Sequence, residues 1–452
     1  MTTYVTALER AINRAKLPIA RKSYGRVSEI NAQSISIEGL NSVLGHGDLI
    51  GVDGPDGQLI YGEVIGLTAQ SATAIMHTDL RHIKTDQKVY PTPERPLFPS
   101  KDWIGRVLDH EGKTIDGAYP EEGDIAVNLG ALPPPAILRK ALGPRLSTGI
   151  AALDTFLPLC QGQRVGLFAG SGVGKSTLLG TLAKSSNAEI NIIALIGERG
   201  REVRHFAEKT LGPEGMAKSI VFAATSDASS AVKLRTARLA MATAEYFRDA
   251  GQQVLFLFDS LTRYAEAHRD IALTAGEVPA LRAFPPSTFR ALAGICERSG
   301  PGVDKSGDIT AVFSVLVAGS DMEEPVADMV RGILDGHIVL DRDIAERGRF
   351  PAINVRQSVS RALPDAATQD ENAALQIARE HIMRFEDARN IIQAGLYVAG
   401  GDAKLDAAIK YYDGLDNFVS LTDMSSIETS FQNLTQVLDI QPAPKTEGVP
   451  EN

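Results

Sequence analysis

The segment AGSGVGKST, residues 169 to 177, carries the residue types that can grip a chain of phosphates. Such a ligand needs many hydrogen-bond donors at once. Glycines let the backbone curl so that successive N–H groups point inward, and a helix that follows adds positive potential at its N-terminus. RVGLFA before the segment reads as a strand and LLGTLAK after it as a helix, the order such a loop requires. The pattern predicts a nucleoside-triphosphate site formed by Gly170, Ser171, Gly172, Val173, Gly174, Lys175, Ser176 and Thr177. Lys175 is expected to reach the β- and γ-phosphates, and the Ser176 hydroxyl to complete the shell of a Mg²⁺ ion. The strict G-x-x-x-x-G-K-[ST] frame is missed at its first position, where Ala169 stands and Gly170 follows one residue late.

Two carboxylates extend the chemistry. QQVLFLFDS, residues 252 to 260, is an apolar run ending in Asp259. A buried strand delivers such a carboxylate to the carboxyl edge of the sheet, where open α/β sheets hold ligands. Asp259 is expected to hold the Mg²⁺ through water; alone, it would read equally as a helix cap. GERGREV, residues 197 to 203, ends the next strand after the phosphate loop. There Glu198 is placed to polarise a water in line with the γ-phosphate, and Arg199 to contact the same phosphate. The alternative is a solvated Glu–Arg pair in a loop.

These residues need a scaffold, and the sequence proposes one. Apolar runs at 164–169, 191–197, 219–225, 253–259 and 309–319 alternate with longer segments such as 229–250, which has helical period. That alternation implies an α/β domain with a parallel sheet buried on both faces, expected over 96–365. Residues 24–95 read differently: short alternating runs (SISIE, DLIGVD, QLIYGEVIGL) punctuated by glycines, with a GPDG turn at 54–57, predict a small β-barrel. Over 366–440, stripes of Leu375, Ala378, Ile382 and Phe385, then Leu405, Ala408 and Tyr412, predict a helical domain. Residues 1–23 read as an amphipathic helix with Val5, Leu8 and Ile12 on one face, suited to packing on its own protein or docking to a partner, and 441–452 as a flexible tail.

Composition narrows the class. The 452 residues are 44% hydrophobic and 23% charged, ordinary for a globular protein and too long for one core. Lys and Arg number 46 against 56 Asp and Glu, a net charge of −10 that disfavours a broad nucleic-acid surface. No apolar run is long enough to span a bilayer, and the first residues lack a signal-peptide pattern. Cys160 and Cys296 are far apart and are expected as buried thiols; none of the 8 histidines sits in a zinc motif.

GSGVGKST, GERGREV, DSLTRYA (259–265), GEVPALRAFPPSTF (276–289) and PAINVRQSVS (351–360) together resemble the ring ATPases related to the catalytic subunits of rotary ATP synthase. The details are most similar to the protein-export branch, and within it to the flagellum-specific ATPases of the type III export apparatus. The resemblance runs from about residue 24 to 410 and implies a barrel crown, a P-loop (RecA-like) nucleotide domain and a helical C-terminal domain. It makes Glu198 the catalytic carboxylate, Lys175 and Ser176 the phosphate and magnesium contacts, and Asp259 the second metal carboxylate. Phe350 matches an aromatic that stacks on adenine, and Arg361 an arginine that reaches the γ-phosphate of a neighbouring subunit. Arg263 is a weaker candidate for coupling the site to the ring interface.

The resemblance further implies a homohexamer using ATP and Mg²⁺, bound to a stator-like regulator through the N-terminal helix. Its other implied partners are export-gate membrane proteins, export chaperones and unfolded substrates, with no nucleic acid, on the cytoplasmic side of the inner membrane at the flagellar base. The rival readings are a virulence-type secretion ATPase, a catalytic subunit of a proton-driven synthase, a nucleotide-binding structural subunit and an RNA translocase. One stretch, YYDGLDNFVSLTDMSS (411–426), departs from the expected family pattern.

Overall fold

A computed structural model describes residues 23–440, except 56, 119, 281–282 and 318–321. The N-terminal helix expected around Val5, Leu8 and Ile12, and the tail expected at 441–452, lie outside the described residues. The chain divides into two compact units, the first reaching Arg95 and including Ser229–Ala231 and Ile271–Glu277.

The alternating runs of the first unit form six antiparallel strands: β1 Gly25–Ile30, β2 Ser34–Glu38, β3 Leu49–Asp53, β4 Leu59–Leu67, β5 Ser71–Met76 and β6 Lys88–Thr92. Their order is β1-β2-β5-β4-β3-β6, and β1 pairs with β6 to close a barrel. Closure leaves no free edge. Alternation sends Ile35, Ile37, Val52, Val64 and Val89 inward, all fully buried. The GPDG turn joins β3 to β4 as expected, with Gly57 at a φ of 73° and the Gly54 N–H donating to the Gln58 carbonyl at 2.7 Å.

The second unit is built on a nine-stranded sheet: β7 Val107–Leu108, β8 Arg164–Ala169, β9 Ile190–Glu198, β10 Ser219–Thr225, β11 Val254–Asp259, β12 Gly300–Pro301, β13 Asp308–Leu316, β14 Gly336–Leu340 and β15 Val359–Ser360. The order is β15-β14-β8-β13-β11-β9-β10-β7, with β12 paired to β13. From β14 to β7 every pairing is parallel, and only β15 and β12 run antiparallel to their neighbours. The apolar runs read as strands are β8, β9, β10, β11 and β13. The strands the periodicity misses are mostly two residues long, too short to show a period.

Three helices, Gln369–Gln393, Ala403–Val419 and Ile427–Val437, follow the sheet. The first opens with a capping box: the Glu371 N–H donates to the Thr368 hydroxyl at 3.2 Å, and the Thr368 N–H to the Glu371 carboxylate at 2.8 Å. Leu375, Ala378, Leu415, Phe418 and Leu434 belong to the same contiguous core as Val165, Leu167 and Leu257 of the sheet. Among the described residues, no helix is long and apolar enough to cross a membrane. Cys160 and Cys296 are free and buried, and burial pushes both thiols up.

One buried ion pair ties helix Ser230–Asp249 to helix Pro286–Arg298. The Arg298 guanidinium meets the Glu245 carboxylate in a two-point contact, 2.9 Å at Nε and 2.5 Å at Nη2, and donates from Nη1 to the Leu129 carbonyl at 2.8 Å. Removing one partner strands a charge away from water. Glu245→Ala should therefore lower unfolding stability by about 3–5 kcal/mol. The single tryptophan, buried Trp103 packed edge-on to Phe222, reports the transition in a denaturant titration by fluorescence. The double replacement Glu245→Leu with Arg298→Met should recover most of the loss.

Candidate active site

The phosphate loop leaves the carboxyl end of β8 and turns directly into helix Lys175–Ser185. Gly172 and Gly174 adopt φ values of 80° and 92°, in the left-handed region that disfavours any side chain. Val173 pins the loop into the core, while Ser171, Gly172, Ser176 and Thr177 are open to solvent. Gly174 is the N-cap and offers no side chain to the first-turn amides. Those amides and the helix dipole remain available to an anion.

Strand neighbours bring the carboxylates to Lys175. Glu198 ends β9 and Asp259 ends β11, and these strands are paired side by side. The Lys175 ammonium donates to Asp259 and lies 3.3 Å from Glu198 Oε1. Burial on its own would lower the Lys175 pKa, but Asp259 and then Glu198 outweigh it and the pKa is raised. Asp259 is almost fully buried and also accepts from the Ser314 hydroxyl of β13 at 2.7 Å. Sequence reasoning missed Ser314; its signal is a lone hydroxyl interrupting the apolar run ITAVFSVLVAG.

Glu198 is aimed by a β-bulge. Ala224 of β10 pairs with Ile196 and Thr225 with Glu198, so Gly197 has no partner of its own and takes a φ of 76°. A Cβ at Gly197 would lie 3.0 Å from the Arg263 side chain, which packs across it. Arg263 is half-exposed and ion-paired with Glu266 at 2.8 Å. Its helix, Leu261–Thr274, is fastened to β13 through Thr262, whose hydroxyl accepts from the Leu316 N–H at 2.9 Å.

Ser176, Glu198, Asp259, Glu202, His205 and Thr210 line a pocket of about 110 Å³. Its hydroxyl and carboxylate oxygens are the hard donors that suit Mg²⁺, and the Lys175 ammonium already stands between two of the carboxylates as a positive charge. Arg199 stays outside this cluster, exposed and 3.5 Å from Glu202. Phe350 is half-exposed, with its ring against the phosphate loop: a Cβ at Gly174 would meet ring atoms at 3.3 and 3.4 Å.

Arg361 is elsewhere. It follows β15, which pairs with the first residues of β14, and its N–H donates to the Asp335 carbonyl at 3.0 Å. The Asp335 carboxylate in turn accepts from the first residue of β8, Arg164. Arg361 therefore stands at the amino end of β8, roughly 17 Å of strand away from the phosphate loop. Its guanidinium is exposed and reaches the Arg331 carbonyl at 3.4 Å. Buried Gln163, which sequence reasoning missed, fixes this segment by donating to the Ser360 hydroxyl at 3.1 Å.

Barrel, parallel sheet and phosphate loop define a P-loop enzyme of the ring-ATPase class. The nucleotide-binding domain of the ATP synthase alpha/beta family matches residues 149–360, and the T3SS EscN ATPase C-terminal domain matches 367–436. The flagellum-specific ATP synthase of Bacillus subtilis is 40% identical over 92% of this chain and 95% of its own length. The type 3 secretion system ATPase of Xanthomonas euvesicatoria is 39% identical over 96% and 98%. The assembled ATPase EscN of the enteropathogenic E. coli type III secretion system superposes with a TM-score of 0.86 at 33% identity, covering 92% of this chain and all of that one. EscN in complex with its central stalk EscO superposes at 0.82. The chain belongs to the family of flagellum-specific ATP synthases and type III secretion ATPases. The likeness extends past residue 410: the C-terminal domain match runs through 411–426, so the departure expected for that stretch is not found.

The bulge supplies a direct test. Gly197→Val forces a side chain into a left-handed position against Arg263 and should move Glu198 off its line. A displacement of about 1 Å is enough for roughly 100-fold in turnover. The expected result is a loss of that size in kcat, with binding of a fluorescent ATP analogue within a few-fold. Full turnover in this variant would show that the bulge does not aim Glu198.

Proposed function

We propose that this chain hydrolyses ATP at sites shared between identical subunits of a homohexameric ring, and that the energy drives flagellar type III protein export. The observation that carries the reading is the placement of Lys175 between Glu198 and Asp259 at the carboxyl edge of the sheet, with Arg361 at the opposite end of β8. The amides of Gly170 to Thr177 take the phosphates. Lys175 leaves the carboxylates for the β- and γ-oxygens. Glu198, released from its ion pair, accepts the proton of a water whose oxygen attacks the γ-phosphorus, while the bond from that phosphorus to the bridging oxygen of ADP breaks. The proton then passes from Glu198 to solvent. Ser176 and Asp259 would hold Mg²⁺, which when bound would neutralise phosphate charge. Phe350 stacks on adenine, Arg199 contacts the same γ-phosphate, and Arg263 couples the bulge to the interface. Arg361 of a neighbour completes the site, a contribution worth about 10³–10⁵ in rate in other nucleotide hydrolases.

In this reading residues 1–23 dock a stator-like regulator, 24–95 form the crown, 96–365 the motor and 366–440 a helical domain facing a stalk-like partner. The stalk assignment draws on EscN, which is described with its central stalk EscO. Export-gate proteins, chaperones and unfolded substrates are the remaining partners, with no nucleic acid, at the cytoplasmic face of the inner membrane. The match of 367–436 to a secretion-ATPase C-terminal domain argues against a synthase subunit. The Xanthomonas relative is within one percentage point of the Bacillus one, so the flagellar and virulence versions are separated in cells. A Lys175→Ala strain should lose swimming together with hydrolysis, whereas intact filaments would leave the secretion version standing.

Shared sites make a stricter prediction for the purified enzyme. Glu198→Gln and Arg361→Ala should each lose at least about 100-fold in kcat. Mixed in equal amounts and allowed to reassemble, they should recover up to about a quarter of wild-type activity, because one interface in four pairs an intact Glu198 with an intact Arg361. Sites confined to one chain would show no recovery.

A further inference from the structure

Asp416, in the helix Ala403–Val419, reaches the loop that carries Phe350. Asp416 Oδ1 lies 3.1 Å from Arg349 Nε, and Arg349 Nη2 donates to the Ile353 carbonyl at 2.9 Å. The side chain of Arg349 thus spans the Phe350 turn, joining the residue before the ring to a buried position after it. On the other side the turn is held by the Gly348 N–H donating to the Ala345 carbonyl at 2.9 Å. The Arg349 side chain is 11% exposed. Its Nε has no bond of hydrogen-bonding geometry and its Nη1 has no partner among the described residues. Behind Asp416 the helix is braced by Tyr412, which stacks on Phe385 with centroids 3.7 Å apart and accepts from Arg389.

A buried guanidinium with one carbonyl bond and one ion pair is a poor source of stability, and an apolar side chain would fill the position at less cost. What this arrangement does supply is position, since the ring it straddles is the one lying against Gly174 of the phosphate loop.

We propose that Arg349 is a positioning residue for the nucleotide: by tying the Phe350 turn to Asp416, it sets the height of the ring over the phosphate loop and thereby the seat of the adenine base. The inference rests on the reading of Phe350 as the base-stacking residue. Steady-state ATP hydrolysis by the full chain tests it. Arg349→Met should raise KM for ATP about 5- to 20-fold, within the range that base stacking on an aromatic can account for, and leave kcat within about twofold. Arg349→Lys should restore part of the loss. Asp416→Asn should raise KM in the same direction without burying a new group, which keeps the test intact should Arg349→Met fold poorly. In a Phe350→Ala background Arg349→Met should add less than about twofold, because no ring remains to be placed. A raised KM in Phe350→Ala beside unaltered KM in Arg349→Met and Asp416→Asn overturns this proposal alone, as does an undiminished Arg349 effect without the ring. A wild-type KM in Phe350→Ala overturns the stacking reading and this proposal with it.

Discussion

Lys175 is placed where burial alone would lower its pKa, and the carboxylates of Asp259 and Glu198 reverse that balance. The rest of the site is arranged around this reversal. Two acidic strand ends brought side by side would repel one another, and the ammonium between them lets both be presented at one edge. A cation that rests on the carboxylates is also stored within reach of the phosphates, since it is the first residue of the helix that opens the loop. Two of the three charged groups end strands, and Lys175 opens the helix that follows the loop after a third. Their convergence follows from parallel pairing of β9 with β11 and from the crossover that puts β8 two strands away.

Much of this was legible in the sequence because it is local. The phosphate loop is contiguous, and its glycines, lysine and flanking elements are fixed by backbone geometry that neighbouring residues dictate. The buried strands announce themselves as apolar runs, and Asp259 and Glu198 are marked by standing at the ends of two of them. What was hidden is non-local. Ser314 meets Asp259 across 55 residues of chain, and Gln163 meets Ser360 across 197. Nothing in the spacing of those pairs signals contact. Strands β7, β12 and β15 were hidden for another reason: two residues carry no period, and they exist only because a longer neighbour offers its edge. Gly197 is intermediate. A glycine directly before the Glu198 carboxylate is visible, but its bulge appears only when the register against β10 is known.

In the proposed shared-site reading, the position of Arg361 turns the polarity of the sheet into a rule for assembly. The phosphate loop emerges at the carboxyl end of β8, and Arg361 is anchored through Asp335 and Arg164 at the amino end of the same strand. No rotamer of arginine covers the length of a six-residue strand, so the two ends cannot serve one active site within one chain. A second copy can supply the guanidinium only by bringing one kind of surface against another. A contact of that type is heterologous, with each subunit using both surfaces once, and it ends either in an open filament or in a closed ring. A ring leaves no subunit without a neighbour and no site without its arginine. If Arg361 serves a neighbour's site, the separation within the monomer is the geometric reason for a closed assembly.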